Sequence, residues 1–147
     1  MRPIPMRRSP PRNLPEDVAL LLLRLVLGLT FLAHGSQKLF GWFGGSGIAG
    51  FAPYVAKLGF PFPVAFATLS GISEFLGGLL VLVGAATGAG AGMILLTMLV
   101  AMVKVTGPRG FFIQNNGWEY NLLIIAVCLA LLLSGPGRWA VWRVGGR

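Results

Sequence analysis

A chain of 147 residues that is 55% hydrophobic, only 11% charged and of mean hydropathy +0.78 is neither a water-solvated globular domain nor a disordered segment; soluble domains carry about 25% charged residues. The net charge of +8 invites a nucleic-acid partner, but Arg2, Arg7, Arg8 and Arg12 crowd one end and Arg138, Arg143 and Arg147 the other. That is the positive-inside distribution of a membrane protein, and no nucleic-acid-binding motif accompanies it, so no nucleic-acid partner is expected.

Residues 1–16 read as a basic, Pro-rich cytoplasmic tail, and Leu14-Pro15-Glu16-Asp17 opens a helix with acidic residues where the helix dipole favours them. A first span is expected over residues 18–40, retained as a transmembrane helix and not cleaved as a signal peptide, because no Ala-x-Ala site closes it. Residues 41–63 form a connector whose centre suits a short amphipathic helix at the interface, with Trp42, Phe43, Phe51 and Tyr54 at headgroup level. A second span follows over residues 63–83, with Pro63 in its first turn. A third covers residues 86–105, where Gly84, Gly88 and Gly92 offer a small-xxx-small contact surface. After a loop over residues 106–117, a fourth span runs over residues 118–134 and stops at Gly135-Pro136-Gly137. The predicted fold is an all-α integral membrane bundle of four transmembrane helices with both termini cytoplasmic. The membrane domain occupies residues 17–138 and a basic tail residues 139–147.

A charge inside a span costs about 2.5–3.5 kcal/mol on insertion scales, so each needs a reason. On a helical wheel Arg24, Gly28, Phe31, Gly35 and Lys38 share a stripe with His34 at its edge, and Ala67, Ser70, Gly71, Glu74, Gly77 and Gly78 share another. The third span groups Gly90, Thr97, Ala101 and Lys104. The fourth aligns Glu119, Leu123, Ala126 and Ala130, leaving Cys128 as plain packing on the lipid side. Counted from the cytoplasmic helix ends, Arg24 and Glu74 lie at similar depth and form the expected buried ion pair, either a structural clamp or a pair that handles a proton or ligand. His34, Lys38, Lys104 and Glu119 make an outer layer in which the lysines snorkel or bind. Trp42, Phe43, Phe111, Phe112 and Trp118 form an aromatic belt or the walls of a ligand slot. With one cysteine, Cys128, and one histidine, His34, the chain has no intrachain disulfide, no bis-histidine haem and no thiolate-rich centre. No metal site and no intrinsic redox cofactor are expected.

Taken in order, Arg24-Leu-Val-Leu-Gly28, His34-Gly35-Ser-Gln-Lys38-Leu39, Gly59 with Pro63, and Glu74 with Gly77-Gly78 are followed by Gly110-Phe111-Phe112, Glu119 with Asn121, and Gly135-Pro136-Gly137. Together, over residues 17–138, they resemble the DoxX family of small bacterial and archaeal membrane proteins. The resemblance implies a plasma-membrane location. It also implies kinship with the membrane subunits of a thiosulfate:quinone oxidoreductase and with mycobacterial proteins tied to a membrane-associated oxidative-stress complex. On that analogy an anion such as thiosulfate approaches the outward region of Lys38, Lys104 and Arg109 while quinone, the one cofactor implied, enters sideways between helices; Lys38, Trp42, Lys104, Arg109, Trp118 and Asn121 are the ligand-binding candidates. His34 or Glu119 then exchanges protons.

Two functions stay open at this point. One is an accessory or scaffold subunit that lies in the lipid bilayer, binds lipid or quinone and contacts other membrane subunits or itself. The other is a quinone-linked oxidoreductase subunit with an outward pocket built from His34, Lys38, Glu74, Lys104 and Glu119. Fold-level analogy alone does not decide between them.

Overall fold

The computed structural model describes residues 13–141, and among them the chain folds into five α-helices. The expected basic tail over residues 1–16 lies mostly outside the described residues, as does the tail beyond residue 141. Helix α1 (Leu14–Phe40) opens with Pro15, Glu16 and Asp17 in its first turn and ends at Gly41, whose left-handed φ of 71° suits glycine. At 27 residues it is about 40 Å long, more than the roughly 30 Å of a bilayer's hydrocarbon core. Helix α2 (Gly47–Lys57) is the short connector helix. Helix α3 (Pro63–Val83) ends at Gly84. Helix α4 (Thr87–Ala101) continues through a π-turn over Met102–Thr106 into a 3-10 turn over Gly107–Arg109, and α5 (Glu119–Ser134) closes the bundle.

Three of these stretches, Leu14–Phe40, Pro63–Val83 and Thr87–Arg109, are long and apolar enough to cross a membrane; α5 is as apolar but only 16 residues long. Their outer faces expose Leu22, Val26, Leu29, Leu69, Leu96 and Leu133 to the surroundings. A shell of that size has lipid for its solvent.

Packing between α1 and α3 is governed by glycine. A Cβ on Gly28 would sit 2.7 Å from the Leu82 backbone, one on Gly78 would sit 2.8 Å from the Gly28 carbonyl, and one on Gly35 would overlap the Phe75 backbone. Backbones approaching this closely gain dispersion contact that lipid cannot supply, which is how helices associate where the hydrophobic effect is absent. Helix α4 joins through Gly90, whose Cβ would lie 2.7 Å from the Gly77 carbonyl. Leu27, Phe31, Val81, Ile94, Cys128 and Leu131 fill the space between the helices.

Two expectations about faces are corrected. The close contacts of α4 run through Gly90 and not through Gly88 and Gly92: Gly92 has open space around its Cβ position and Gly88 only an ordinary contact with Leu132, while Gly84, which caps α3, is closely packed but against Arg24 and the Ala140 backbone. On α5 the inward face is Asn121, Cys128 and Leu131, with Cys128 fully buried and not on the lipid side, whereas Leu123 is 65% exposed. Orienting the wheel by Glu119 gives the wrong phase, because that carboxylate belongs to the preceding loop and does not point into the bundle.

The glycine seam makes a direct prediction. Gly35→Ala drives a methyl into the Phe75 backbone and is expected to cost about 1–3 kcal/mol, read as a lower midpoint in detergent-unfolding titrations. Gly92→Ala, with nothing to meet, is the control and is expected to leave the midpoint unchanged or slightly raised.

Candidate functional site

The seam sets the register of the charges. With Gly28 on Leu82, Gly35 on Phe75 and Leu39 against Gly71, α1 and α3 run antiparallel and Lys38 in the last turn of α1 falls beside Ser70 and Glu74. Ser70 and Glu74 are four residues apart and so share one face of α3. Lys38 Nζ donates to Glu74 Oε1 at 2.6 Å and to Ser70 Oγ at 3.2 Å. The ammonium also stands 4.9 Å from the centroid of the Phe51 ring, carried on α2. Helix α2 therefore covers the outer side of the pair, held by an apolar contact of Ala52 and Val55 with Ala67 of α3. Lys38 keeps a partly open side chain, while Glu74 is 2% exposed and its Oε2 meets no hydrogen-bond partner. Apart from this pair, Tyr120 in the first turn of α5 lines a groove of about 490 Å³ on the outer face of that helix, together with Phe111, Ile113, Glu119 and Leu123.

The expected Arg24–Glu74 pair does not form. The register places Arg24 beside Gly84, ten residues or about 15 Å along α3 from Glu74. Depth measured from the helix ends misses this because those ends are not level: Arg24, ten residues into α1, meets Gly84 just past the last residue of α3, so the start of α1 projects beyond α3. Arg24 is 1% exposed and gives all its observed hydrogen bonds to backbone carbonyls. Nε donates to Val81 O (3.0 Å), Nη2 to Leu82 O (3.2 Å), and Nη1 to Pro136 O (2.9 Å) and Trp139 O (3.1 Å). It thus satisfies carbonyls left over at the end of α3 and ties the segment after α5 beneath it. Asp17 assists at the same end by accepting the Arg138 N–H at 2.9 Å.

The remaining candidates separate into different neighbourhoods. Glu119 Oε1 accepts the Ile113 N–H at 2.7 Å and its own N–H donates to Phe111 O, so this carboxylate folds the loop between α4 and α5. His34 is exposed on α1, with its ring 6.2 Å from that of Phe31 and no hydrogen bond to the Lys38–Glu74 pair. Asn121 is buried between α4 and α5, where its amide donates to Met98 Sδ at 3.6 Å and its carbonyl accepts from Thr106 Oγ1 at 3.0 Å. Lys104 extends over the Phe60 ring, 5.8 Å from its centroid, and Arg109 is exposed in the following turn. Trp42 packs on Phe40 and Trp118 on Phe111, at opposite ends of the outer loops. Of the expected site residues the structure joins Lys38 and Glu74. Sequence reasoning misses Phe51 as their neighbour. The two seven-residue glycine pairs, Gly28/Gly35 and Gly71/Gly78, are the available signal for this register.

Among the described residues no three His, Cys, Asp or Glu side chains gather where a metal could bind. No solved structure matches the chain significantly. Two curated proteins do. The "Uncharacterized membrane protein Rv3486" of Mycobacterium tuberculosis is 33% identical over 135 residues, covering 85% of this chain and 80% of the relative. The "Putative oxidoreductase CatD" of Bacillus subtilis is 31% identical over 121 residues, covering 81% of this chain and 82% of the relative. The DoxX family model matches residues 19–107, which include Arg24, the glycine seam, Lys38 and Glu74. With these motifs in place and relatives aligned along most of its length, the chain belongs to the DoxX family.

Proposed function

We propose that this chain is an accessory membrane subunit that binds an amphiphile, lipid or quinone, beside the Lys38–Glu74 pair. In this reading α1, α3, α4 and α5 all cross a bacterial or archaeal plasma membrane and both termini are cytoplasmic, as the arginine-rich ends favour. The short α5 spans about 24 Å, which local thinning and the flanking loop accommodate.

One observation carries the proposal: a carboxylate buried on the α1–α3 seam with one oxygen paired to Lys38 and the other unpartnered. A charge kept inside a span without full satisfaction points to a ligand, since a purely structural pair would have both oxygens engaged. A quinone suits this setting. Its ring and tail match the aromatic Phe51 and the aliphatic surfaces around the pair, and it would bring electron-carrying chemistry. The oxidoreductase reading is kept as the second because the Bacillus subtilis relative carries that name.

Gentle purification from native membranes, followed by mass spectrometry of co-purifying proteins, lipids and quinones, tests the proposal. A stoichiometric amphiphile together with partner proteins is expected. Lys38→Met combined with Glu74→Leu, which removes the polar pair without stranding either partner, is expected to lose the amphiphile and keep the partners. Recovery of the native protein with no retained amphiphile would overturn the proposal, and co-purified quinone with a soluble redox protein would favour the second reading.

A further inference from the structure

The flank of α2 away from the Lys38–Glu74 pair carries a second feature. Ile48, Ala49, Ala52 and Ala56 of α2 and Pro63 and Val64 in the first turn of α3 enclose an open groove of about 640 Å³ with an apolar wall. Ala49, Ala52 and Ala56 recur at steps of three and four, so they share one face of α2, and their short side chains leave the trough. Pro63 is the first residue of a stretch long and apolar enough to cross a membrane. The groove therefore lies where hydrocarbon gives way to headgroups. Two cations stand at its edge. Lys57 directly follows the lining residue Ala56 and is exposed. Lys104 comes from the π-turn after α4, with its ammonium 5.8 Å from the centroid of the Phe60 ring. Phe60 in turn packs against the cluster of Ala52, Val55 and Ala67, of which Ala52 is part of the groove wall. Neither Lys57 nor Lys104 pairs with a carboxylate among the described residues. In the orientation proposed above both lie on the side that the positive-inside rule depletes of basic residues, so their charge calls for a local partner.

We propose that this groove seats an acyl chain of an anionic phospholipid whose phosphate meets Lys57 and Lys104. The apolar wall has no side chain to replace the hydration of a polar ligand, so the part of the occupant that lies in the groove is hydrocarbon. A free phosphate, for its part, gains only exposed lysines whose attraction salt screens. A molecule that is apolar along its length and anionic at one end satisfies both halves. A phospholipid in the bilayer presents those two parts at the depth where the groove and the lysines lie. The Phe60 ring holds the Lys104 head near the groove, and the lysine stem covers apolar surface on the way. This site is separate from the amphiphile site at Lys38, whose charge Glu74 already neutralises, and does not depend on it.

Native mass spectrometry of the full chain released from detergent micelles reads the site with three probes. Two are phosphatidylglycerol and phosphatidylcholine with identical palmitoyl and oleoyl chains; the third is glycerophosphoglycerol, the anionic headgroup alone. One phosphatidylglycerol is expected to bind about tenfold more tightly than phosphatidylcholine, as two basic residues beside an anionic headgroup supply. The headgroup alone is expected not to be retained. Lys57→Gln with Lys104→Gln is expected to bind the two lipids alike. Arg7→Gln with Arg8→Gln removes the same charge from the N-terminal end of the sequence and is expected to keep the preference. Ala49→Trp, which places an indole on the groove wall, is expected to lose both lipids. Lys38→Met with Glu74→Leu is expected to keep the preference, so the failure of the amphiphile reading and the failure of this one are told apart. Equal binding of the two lipids to the native chain overturns the proposal, as does a preference that survives Lys57→Gln with Lys104→Gln or disappears with Arg7→Gln and Arg8→Gln. A dimer that carries no lipid and is lost in Ala49→Trp also overturns it, and assigns the groove to a second copy of the chain.

Discussion

Arg24→Met is expected to destabilise the bundle by about 3–5 kcal/mol and to free the segment that follows α5. The guanidinium gives four hydrogen bonds, and among the described residues only Val81 O accepts from another backbone donor, the Gly84 N–H at 3.2 Å. Leu82 O, Pro136 O and Trp139 O are left to a nonpolar medium, and a buried acceptor without a partner costs about 1–3 kcal/mol. Relief from carrying a charge does not offset this. Arg24 also sits in lipid when the helices are inserted but apart, and there its charge is worse served than in the folded bundle. Arg24→Lys, with three donors at one point in place of a planar fork, is expected to fall between the native protein and the methionine variant. Unfolding titrations in mixed micelles give the magnitude, and protease cleavage near Trp139 reports release of the segment. A loss below about 1 kcal/mol with no new cleavage would remove Arg24 as the clamp.

The inward faces of α1 and α3 are legible in the sequence, whereas the pairing between them is not. Arg24, Gly28, Phe31 and Gly35 are inward on α1, and Ala67, Gly71, Glu74, Gly77 and Gly78 inward on α3, as their shared stripes predict. Periodicity works there because glycines and charges cluster on one narrow face and aliphatic residues cover the rest. It fails on α5, where aliphatic side chains occupy nearly every position and one glutamate at the helix start dominates the phase. Pairing across helices is harder still. Depth counted from helix ends carries an error of several residues, and four residues shift a contact by more than a full turn. The seven-residue glycine pairs fix that register independently of the ends. They place Lys38, not Arg24, against Glu74. The neighbour Phe51 comes from the connector helix. No local pattern marks it, because its role depends on how α2 folds back over the pair.

The register also makes the two halves of the Lys38–Glu74 pair unequal, which a double-mutant cycle can read. Lys38→Met strands a carboxylate that is 2% exposed, and breaking a buried pair in this way costs about 3–5 kcal/mol. Glu74→Leu strands instead a lysine whose side chain is already partly open and whose aliphatic stem lets the head move to the interface, so about 1 kcal/mol is expected. Combining Lys38→Met with Glu74→Leu removes the polar groups together and is expected to return to within about 1 kcal/mol of the native stability. The coupling between the sites is then about 3 kcal/mol or more, well above the few tenths seen for independent positions. The asymmetry is the diagnostic part. If Lys38→Met and Glu74→Leu cost the same and simply add, the carboxylate has another partner, and the vacant oxygen on which the ligand proposal rests does not exist. If Lys38→Met is the costly change and the double variant recovers, Glu74 is held charged inside the membrane by a single lysine, with its second oxygen free for a donor from the lipid side.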